Sequence, residues 1–297
     1  MNHFYFRYLL NNEPDKTVSL AGIRLRKMLH PLLIRVAPLF SHRRLVVVRR
    51  AAVPSGRPII FAATHGFKDD ALFTLLTVRQ HAYLLFGSLP QFFGSLDGLS
   101  AWLNGAILVD RSNKASRHAS KEKMVRALSL GANLIYYPEG TWNKSENQLV
   151  LKLFPGIYEV AKRSGALVVP VATHQEEDLC YAIQGEAFDL CAYAPSEGLE
   201  ELRSRMGTLK YELIDQYSKA DRCALLGDAA PEEYWKGYIC RLVDEVNCYD
   251  LEIENSSAYV DPKITTPEEA FAHLQTITYT PQNMFLMRRL PGFWNKE

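Results

Sequence analysis

Short apolar runs alternate with helical stretches from about residue 45 to residue 173, and this rhythm constrains the fold more than any other feature of the chain. The runs LVVVRR, IIFAAT, AYLLF, AILV, NLIYY and ALVVPVAT each have the length and β-branched or aromatic content of a strand. Such runs, apolar on consecutive residues, suit strands that are covered on both faces. Between them lie a helix to about Arg79, a helical piece in GSLDGLSAWLNG, a helix over residues 116–130, and GIYEVAKRSG with its glycine stop. Strands and helices in alternation predict an α/β fold with a central, largely parallel sheet flanked by helices. A chain of 297 residues with 47% hydrophobic and 23% charged residues has the composition to bury such a core, which excludes a disordered or fibrous chain.

The two ends differ from this middle. Residues 1–50 hold ten Lys/Arg against Glu13 and Asp15, a balance of +8, so the rest of the chain carries −7 within a formal total of +1. A basic front end on a mildly acidic body points to an anionic surface as partner. In residues 17–44, Leu20, Ile23, Leu25, Met28, Leu29, Leu32, Leu33 and Val36 recur at helical spacing among Arg24, Arg26, Lys27 and Arg35. Pro31 and Pro38 are expected to kink or split this helix. Two readings are open: a basic amphipathic segment lying in the headgroup layer of an anionic bilayer, or an ordinary helix packing its apolar face on the core. No run is long and apolar enough for a transmembrane helix, and the first twenty residues lack the apolar core of a signal peptide.

Beyond residue 195 the chain becomes charged and helical. GLEELRSRMGTLKYELIDQYSKA reads as an amphipathic helix, and TTPEEAFAHLQTI as another, opened by a Thr266 cap and Pro267. The predicted organisation is therefore a basic amphipathic interface segment (1–44), an α/β domain (45–195) and a mostly helical C-terminal appendage (196–297). Five cysteines, Cys180, Cys191, Cys223, Cys240 and Cys248, are widely spaced without a CxxC pair. That usage fits reduced thiols in a cytosolic compartment.

Three polar groupings sit at the ends of apolar runs, where open parallel sheets bind ligands. They are His65 with Asp69 and Asp70, Asp110 with Arg111, and Glu139-Gly140-Thr141. Each alone has an ordinary reading: a structural histidine or helix cap, a solvated salt bridge, a turn. Together, on strands of one sheet, they describe a cleft.

The blocks THGFKDD, GAILVDRS, YYPEGTW and ALVVPVA, in that order, resemble the glycerolipid acyltransferase family, whose members include lysophosphatidate acyltransferases. The H-x4-D pattern is His65…Asp70, and Asp110 and Glu139 follow it by 45 and 74 residues. The likeness covers about residues 45–195. It implies acyl transfer from acyl-CoA or acyl-carrier protein to a hydroxyl of a glycerolipid-type acceptor such as lysophosphatidate, by direct attack. A neutral imidazole suits removal of the hydroxyl proton, and a carboxylate on its other nitrogen fixes the tautomer. His65 is thus the expected base and Asp70 its partner, while Asp69, one position off, faces elsewhere and is left to cap the helix. The absence of GxSxG disfavours an acyl-serine route.

The resemblance further implies that Arg111, Glu139, Gly140 and Thr141 hold the acceptor, with Glu139 orienting the acceptor or the loop itself. The sequence departs from the family at Trp142, which stands where an arginine follows PEGT. Trp cannot pair with a phosphate, so that contact falls to Arg111, Lys144 or Lys152, and Trp142 is left to pack on an acyl chain or a sugar. No metal and no cofactor beyond the acyl donor is expected, nor a nucleic-acid partner. The expected location is cytoplasmic, peripheral on the inner face of a membrane with anionic lipid. Two alternatives remain: a peripheral lipid-binding module without catalysis, and a thioester hydrolase in which water replaces the acceptor.

Overall fold

The computed structural model describes residues 13–66, 69–87, 96–111, 113–143 and 148–219. Lys144, Cys223, Cys240, Cys248 and the helices expected after residue 219 lie outside the described residues.

The chain opens with a short helix α1 (Pro14–Thr17) and then α2 (Leu20–Val36), which Ser19 caps by accepting the Gly22 N–H at 3.1 Å. Pro31 lies inside α2, and the helix stops before Pro38, the second residue of a 3-10 turn over Ala37–Phe40. Seven strands follow: β1 (Arg44–Arg50), β2 (Ile59–Ala63), β3 (Ala82–Phe86), β4 (Ala106–Leu108), β5 (Asn133–Tyr136), β6 (Leu167–Glu176) and β7 (Leu179–Gln184). Helices α3 (Asp70–Val78), α4 (Leu96–Asn104), α5 (Lys114–Ser129) and α6 (Gly156–Ser164) connect them, and α7 (Pro195–Tyr217) closes the described chain.

The strands form one sheet in the order β1-β7-β6-β2-β5-β3-β4. Its pairings are parallel except for β6 with β7. The alternation of runs and helices thus folds into the expected largely parallel α/β sheet, flanked on both sides. β7 is an addition to the expected strands. The run LCYAIQ is short and follows the acidic turn EED, so it carries little strand signal of its own. It becomes a strand because β6 runs on to Glu176, the chain reverses at Glu177 (φ 50°), and β1 pairs along its far edge.

Alternation along β2 assigns the two faces. Ile60 and Ala62 point into a core shared with Met124, Ala127 and Leu128 of α5, Ile157 and Val160 of α6, and Leu202 and Met206 of α7. Ile59, Phe61 and Ala63 point the other way, against Leu75 and Val78 of α3 and Ala101 of α4. All five β2 residues are buried, as strands covered on both faces should be.

α2 docks through one side only. Ile23 and His30 are buried, Lys27 Nζ donates to the Gly131 carbonyl at 2.7 Å, and Arg126 Nε donates to the Val18 carbonyl at 2.7 Å. The opposite side exposes Leu25 (53%), Met28 (71%) and Leu32 (58%), with Leu39 beyond the helix 80% exposed. Spaced three and four apart, the helical residues make one apolar ridge, flanked by exposed Arg24 and Arg35. Among the described residues no helix is long and apolar enough to cross a membrane.

Candidate active site

The parallel strands β2, β5, β3 and β4 deliver their following residues to one end of the sheet. β2 ends at Ala63, and Thr64 continues it: its N–H donates to the Val171 carbonyl at 3.0 Å, and its hydroxyl accepts the Thr173 N–H at 3.1 Å. That tie brings the next residue, His65, to the edge of the cleft. Asp70, the first residue of α3, is 1% exposed and turns back so that its Oδ2 lies 2.7 Å from His65 Nδ1. The same oxygen accepts the Gly66 N–H at 2.9 Å. With an ionised carboxylate as acceptor, the proton sits on Nδ1, and the lone pair of Nε2 is the ring's basic position.

Asp69 occupies the N-cap position, yet its side chain makes no capping bond. This corrects the expectation that Asp69 caps α3. Its Oδ2 instead accepts from Arg43 Nη1 at 3.1 Å and Ser41 Oγ at 3.0 Å. A largely buried guanidinium is a stronger donor to a carboxylate than a neutral helix N–H. The two adjacent aspartates are thereby separated in role: one tethers the chain entering β1, the other holds the histidine.

The loop after β5 runs alongside His65. Glu139 is 1% exposed; its Oε1 accepts the His65 N–H at 3.1 Å and its Oε2 the Leu151 N–H at 2.8 Å. The carboxylate therefore clamps two loops at once. Desolvation by burial pushes its pKa up to about 7, while the two N–H bonds and the charges of His65 and Lys210 pull it down. Gly140 turns the chain with φ 71°, a conformation costly for any residue with a Cβ. Thr141 follows, half-buried. The Asn143 N–H then donates to the His65 carbonyl at 2.7 Å, so both backbone polar groups of His65 are held by this loop.

Two aromatic rings frame the imidazole. Tyr137 stacks on it with centroids 4.3 Å apart, and Trp142 stands edge-on at 6.1 Å and 87°. Burial raises the Tyr137 hydroxyl well above the usual range, with the Asp70 charge acting in the same sense, so this group stays neutral. Trp142 is brought to the histidine rather than to a distant surface.

Arg111 follows β4 at the same end of the sheet, on strands β3 and β5's side of the dyad. Its guanidinium occupies the space where a Cβ of Gly87 would stand, so a side chain at position 87 would push the guanidinium aside. Its charge also acts on Tyr136, whose hydroxyl burial pushes up to about 12. The structure thus brings Asp70 and Trp142 to the His65 ring, sets Glu139 and the loop that turns at Gly140 against the His65 backbone, and places Arg111 beside Gly87 and Tyr136.

Two cations of α7 reach this region and were not anticipated from the sequence. Lys210 is half-buried, and its Nζ donates to the Thr173 carbonyl at 2.6 Å, the residue whose N–H holds Thr64. Desolvation lowers its pKa to about 8, opposed by the charges of Glu139, Cys180 and Asp70. Arg203 Nε donates to the Val150 carbonyl at 3.0 Å and its Nη2 to Gln148 Oε1 at 3.1 Å, next to the Leu151 N–H that Glu139 accepts. The available signal was periodicity. Leu202, Met206, Leu209 and Leu213 form the buried stripe of α7; Arg203 is buried beside it, and Lys210, seven residues on, lies half-buried at its border. Tyr137 had a nearer signal, two residues ahead of Glu139 in the same block.

Residues 44–174 match the family described as Acyltransferase. Over 127 residues the chain is 24% identical to a 1-acyl-sn-glycerol-3-phosphate acyltransferase of Chlamydomonas reinhardtii, covering 42% of this chain and 37% of that relative. The match therefore spans little more than a third of the relative's length. The fold is also similar to the crystal structure of the 1-acyl-sn-glycerophosphate (LPA) acyltransferase PlsC from Thermotoga maritima. The TM-score is 0.55 at 16% identity, over 73% of this chain and 91% of that one, a likeness of fold.

Proposed function

We propose, on the match of residues 44–174 to the family described as Acyltransferase, that the protein transfers a fatty acyl group from a thioester donor to a hydroxyl of a glycerolipid acceptor such as lysophosphatidate. The observation that carries this reading is the 2.7 Å contact between His65 Nδ1 and buried Asp70. It leaves Nε2 as base in the tautomer that hydroxyl activation needs.

In this reading Nε2 takes the acceptor's hydroxyl proton as its oxygen attacks the thioester carbonyl. The tetrahedral intermediate then collapses, the C–S bond breaks, and the imidazolium returns the proton to the leaving thiolate. Asp70 stabilises the imidazolium between the two steps. Glu139 acts through the backbone, since both of its oxygens are engaged by N–H groups that position His65 and the 148–151 segment. Arg111 is the cation assigned to an acceptor phosphate, as a planar fork can pair two oxygens. Trp142 forms the wall beside the base, packing against the acceptor backbone or the acyl chain. The apolar ridge of α2 lies in the headgroup layer with Arg24 and Arg35 toward anionic lipid, which brings the cleft to a bilayer substrate.

The test is thiol release from palmitoyl-CoA by the full chain on anionic vesicles, with and without lysophosphatidate and unphosphorylated glycerol-type acceptors. Acceptor-dependent release that falls by about 10²–10⁴-fold in His65→Ala is expected for a lost general base. Release that ignores the acceptor would make the protein a thioester hydrolase. Acceptor-dependent release that persists in His65→Ala would refute the assignment of the base.

A further inference from the structure

The turn that presents His65 and Asp70 is tied to the segment that carries the apolar ridge. α2 is followed by the 3-10 turn Ala37–Phe40, in which Leu39 is 80% exposed, and the Ser41 N–H closes that turn on the Pro38 carbonyl at 3.2 Å. The Ser41 hydroxyl donates to Asp69 Oδ2 at 3.0 Å and accepts the Arg43 N–H at 3.2 Å. Arg43 Nη1 donates to the same carboxylate oxygen at 3.1 Å. The Arg43 and Asp69 side chains are only 10% and 18% exposed, so this pair is screened less than one at the surface. One peptide bond joins Asp69 to Asp70, and the Asp69 carbonyl accepts the Phe73 N–H at 3.0 Å in the first turn of α3.

The clasp is not a helix cap, since the Asp69 side chain makes no capping bond to α3. Nor does β1 need it to join the sheet: β1 pairs with β7 over Arg44–Arg50, and Leu45 packs toward Phe73 and Cys180. What the clasp adds is a link between the exposed 3-10 turn and the backbone next to Asp70.

We propose that Asp69 is a positioning residue that couples contact of the Ala37–Phe40 turn with an anionic bilayer to the geometry of the His65–Asp70 pair. The lipid surface then regulates turnover as well as presenting substrate. The inference rests on the acyl-transfer reading of that pair. In the free protein Leu39 holds its apolar surface in water. A bilayer that takes it up adds binding free energy to one seat of the turn and shifts the population to that seat. Through Ser41 and Asp69 the same seat fixes where α3 begins, and hence where the Asp70 carboxylate meets Nδ1.

The experiment uses the full chain with substrates short enough to stay in water, hexanoyl-CoA and a short-chain lysophosphatidate below its micelle concentration. Substrate-free vesicles of phosphatidylcholine and phosphatidylglycerol are added as effector, at a lipid concentration where sedimentation shows each form fully bound. The expected result is a rise in kcat of about tenfold in the wild type. Asp69→Ala removes both bonds and should cut the rise to below about twofold, with Ser41→Ala intermediate. A residue that serves only the fold would lower stability or the basal rate and leave the vesicle-induced ratio unmoved. Amide exchange in the peptides holding the Gly66 and Phe73 N–H groups is the second readout and needs no turnover. Vesicles are expected to slow it in the wild type and not in Asp69→Ala. If thiol is released under no condition yet exchange responds in this way, the acyl-transfer reading falls and the coupling of bilayer to turn stands. Where thiol is released, an unmoved kcat in the bound wild type, or an equal rise in wild type and both variants, would overturn the proposal. Where it is not, an unmoved exchange rate would do so.

Discussion

Oδ2 of Asp70 meets two donors at once, His65 Nδ1 at 2.7 Å and the Gly66 N–H at 2.9 Å, while the chain between the two residues turns from strand to helix. The carboxylate thereby holds both the ring and the backbone of the turn that presents it. Asp70→Asn is expected to keep the turn, because an amide oxygen can still accept the Gly66 N–H. It is also expected to offer the ring a donor or a weak acceptor and lose the required tautomer. Turnover should fall by roughly 10³–10⁴-fold with little change in the near-UV circular dichroism spectrum. Unchanged turnover would remove Asp70 from the mechanism.

Glu139 has two oxygens and two N–H donors. A glutamine has one acceptor oxygen, so Glu139→Gln sets an NH2 against either His65 N–H or Leu151 N–H. Leaving one such buried donor unpaired costs about 1–3 kcal/mol, which denaturant titration would read as a lower midpoint. The substitution also changes the pH dependence. With a folded pKa near 7 against an ordinary 4.5, the folded state binds more protons than the unfolded state between these values. Its contribution therefore declines as pH rises across that window. Glu139→Gln should flatten this slope.

Lys210 works in the opposite sense. Its folded pKa of about 8 lies below the ordinary 10.5, so the unfolded chain binds more protons between the two, and this group's contribution to stability rises with pH through that window. Lys210→Met should remove that rise. It also removes a charge that holds the Glu139 carboxyl down, so the acid limb of the rate profile is expected to move to higher pH. A Met variant with an unmoved profile would confine Lys210 to packing.

Trp142 stands edge-on to His65 at 6.1 Å, in the position that follows PEGT. Trp142→Arg should improve kcat/KM for a phosphorylated acceptor relative to an unphosphorylated one by about tenfold if a phosphate contact is what this position lacks. The comparison is a competition between the two acceptors in one assay. An unchanged ratio would show that Trp142 shapes the acyl or glycerol side instead.

The ridge on α2 makes a prediction independent of chemistry. Met28 and Leu32 are 71% and 58% exposed, so replacing both with serine removes apolar area without opening a core cavity. Stability should change by less than about 0.5 kcal/mol. At about 0.8 kcal/mol per buried CH₂, vesicle binding should fall by tenfold or more if the ridge inserts. Sedimentation with anionic liposomes would measure it.

Several features were legible in the chain because they are local. β2 is apolar at every position and is buried at every position, and the separation of His65 from Asp70 spans only the turn between a strand and the first residue of a helix. Other features depend on partners far along the chain. Asp69 has a capping position by sequence, but Arg43, brought across by the pairing of β1, takes its carboxylate. β7 becomes a strand only when the end of β6 and the whole of β1 stand on either side of it.

The amino-acid sequence by itself determined the alternation of strands and helices, the end of the sheet where the polar residues collect, and the pairing of His65 with Asp70. Hydrophobic period and short turns are properties of neighbouring residues, and they act before the chain is folded. Only the tertiary structure decided that Glu139 clamps two backbones, that Tyr137 and Trp142 frame the imidazole, and that α7 sets Lys210 behind the site. Those contacts join residues up to 74 positions apart in the Glu139 clamp and 37 in the Lys210 tie. Such contacts exist only once the sheet has closed and water has left the space between its strands and helices, where a buried charge must find its partner.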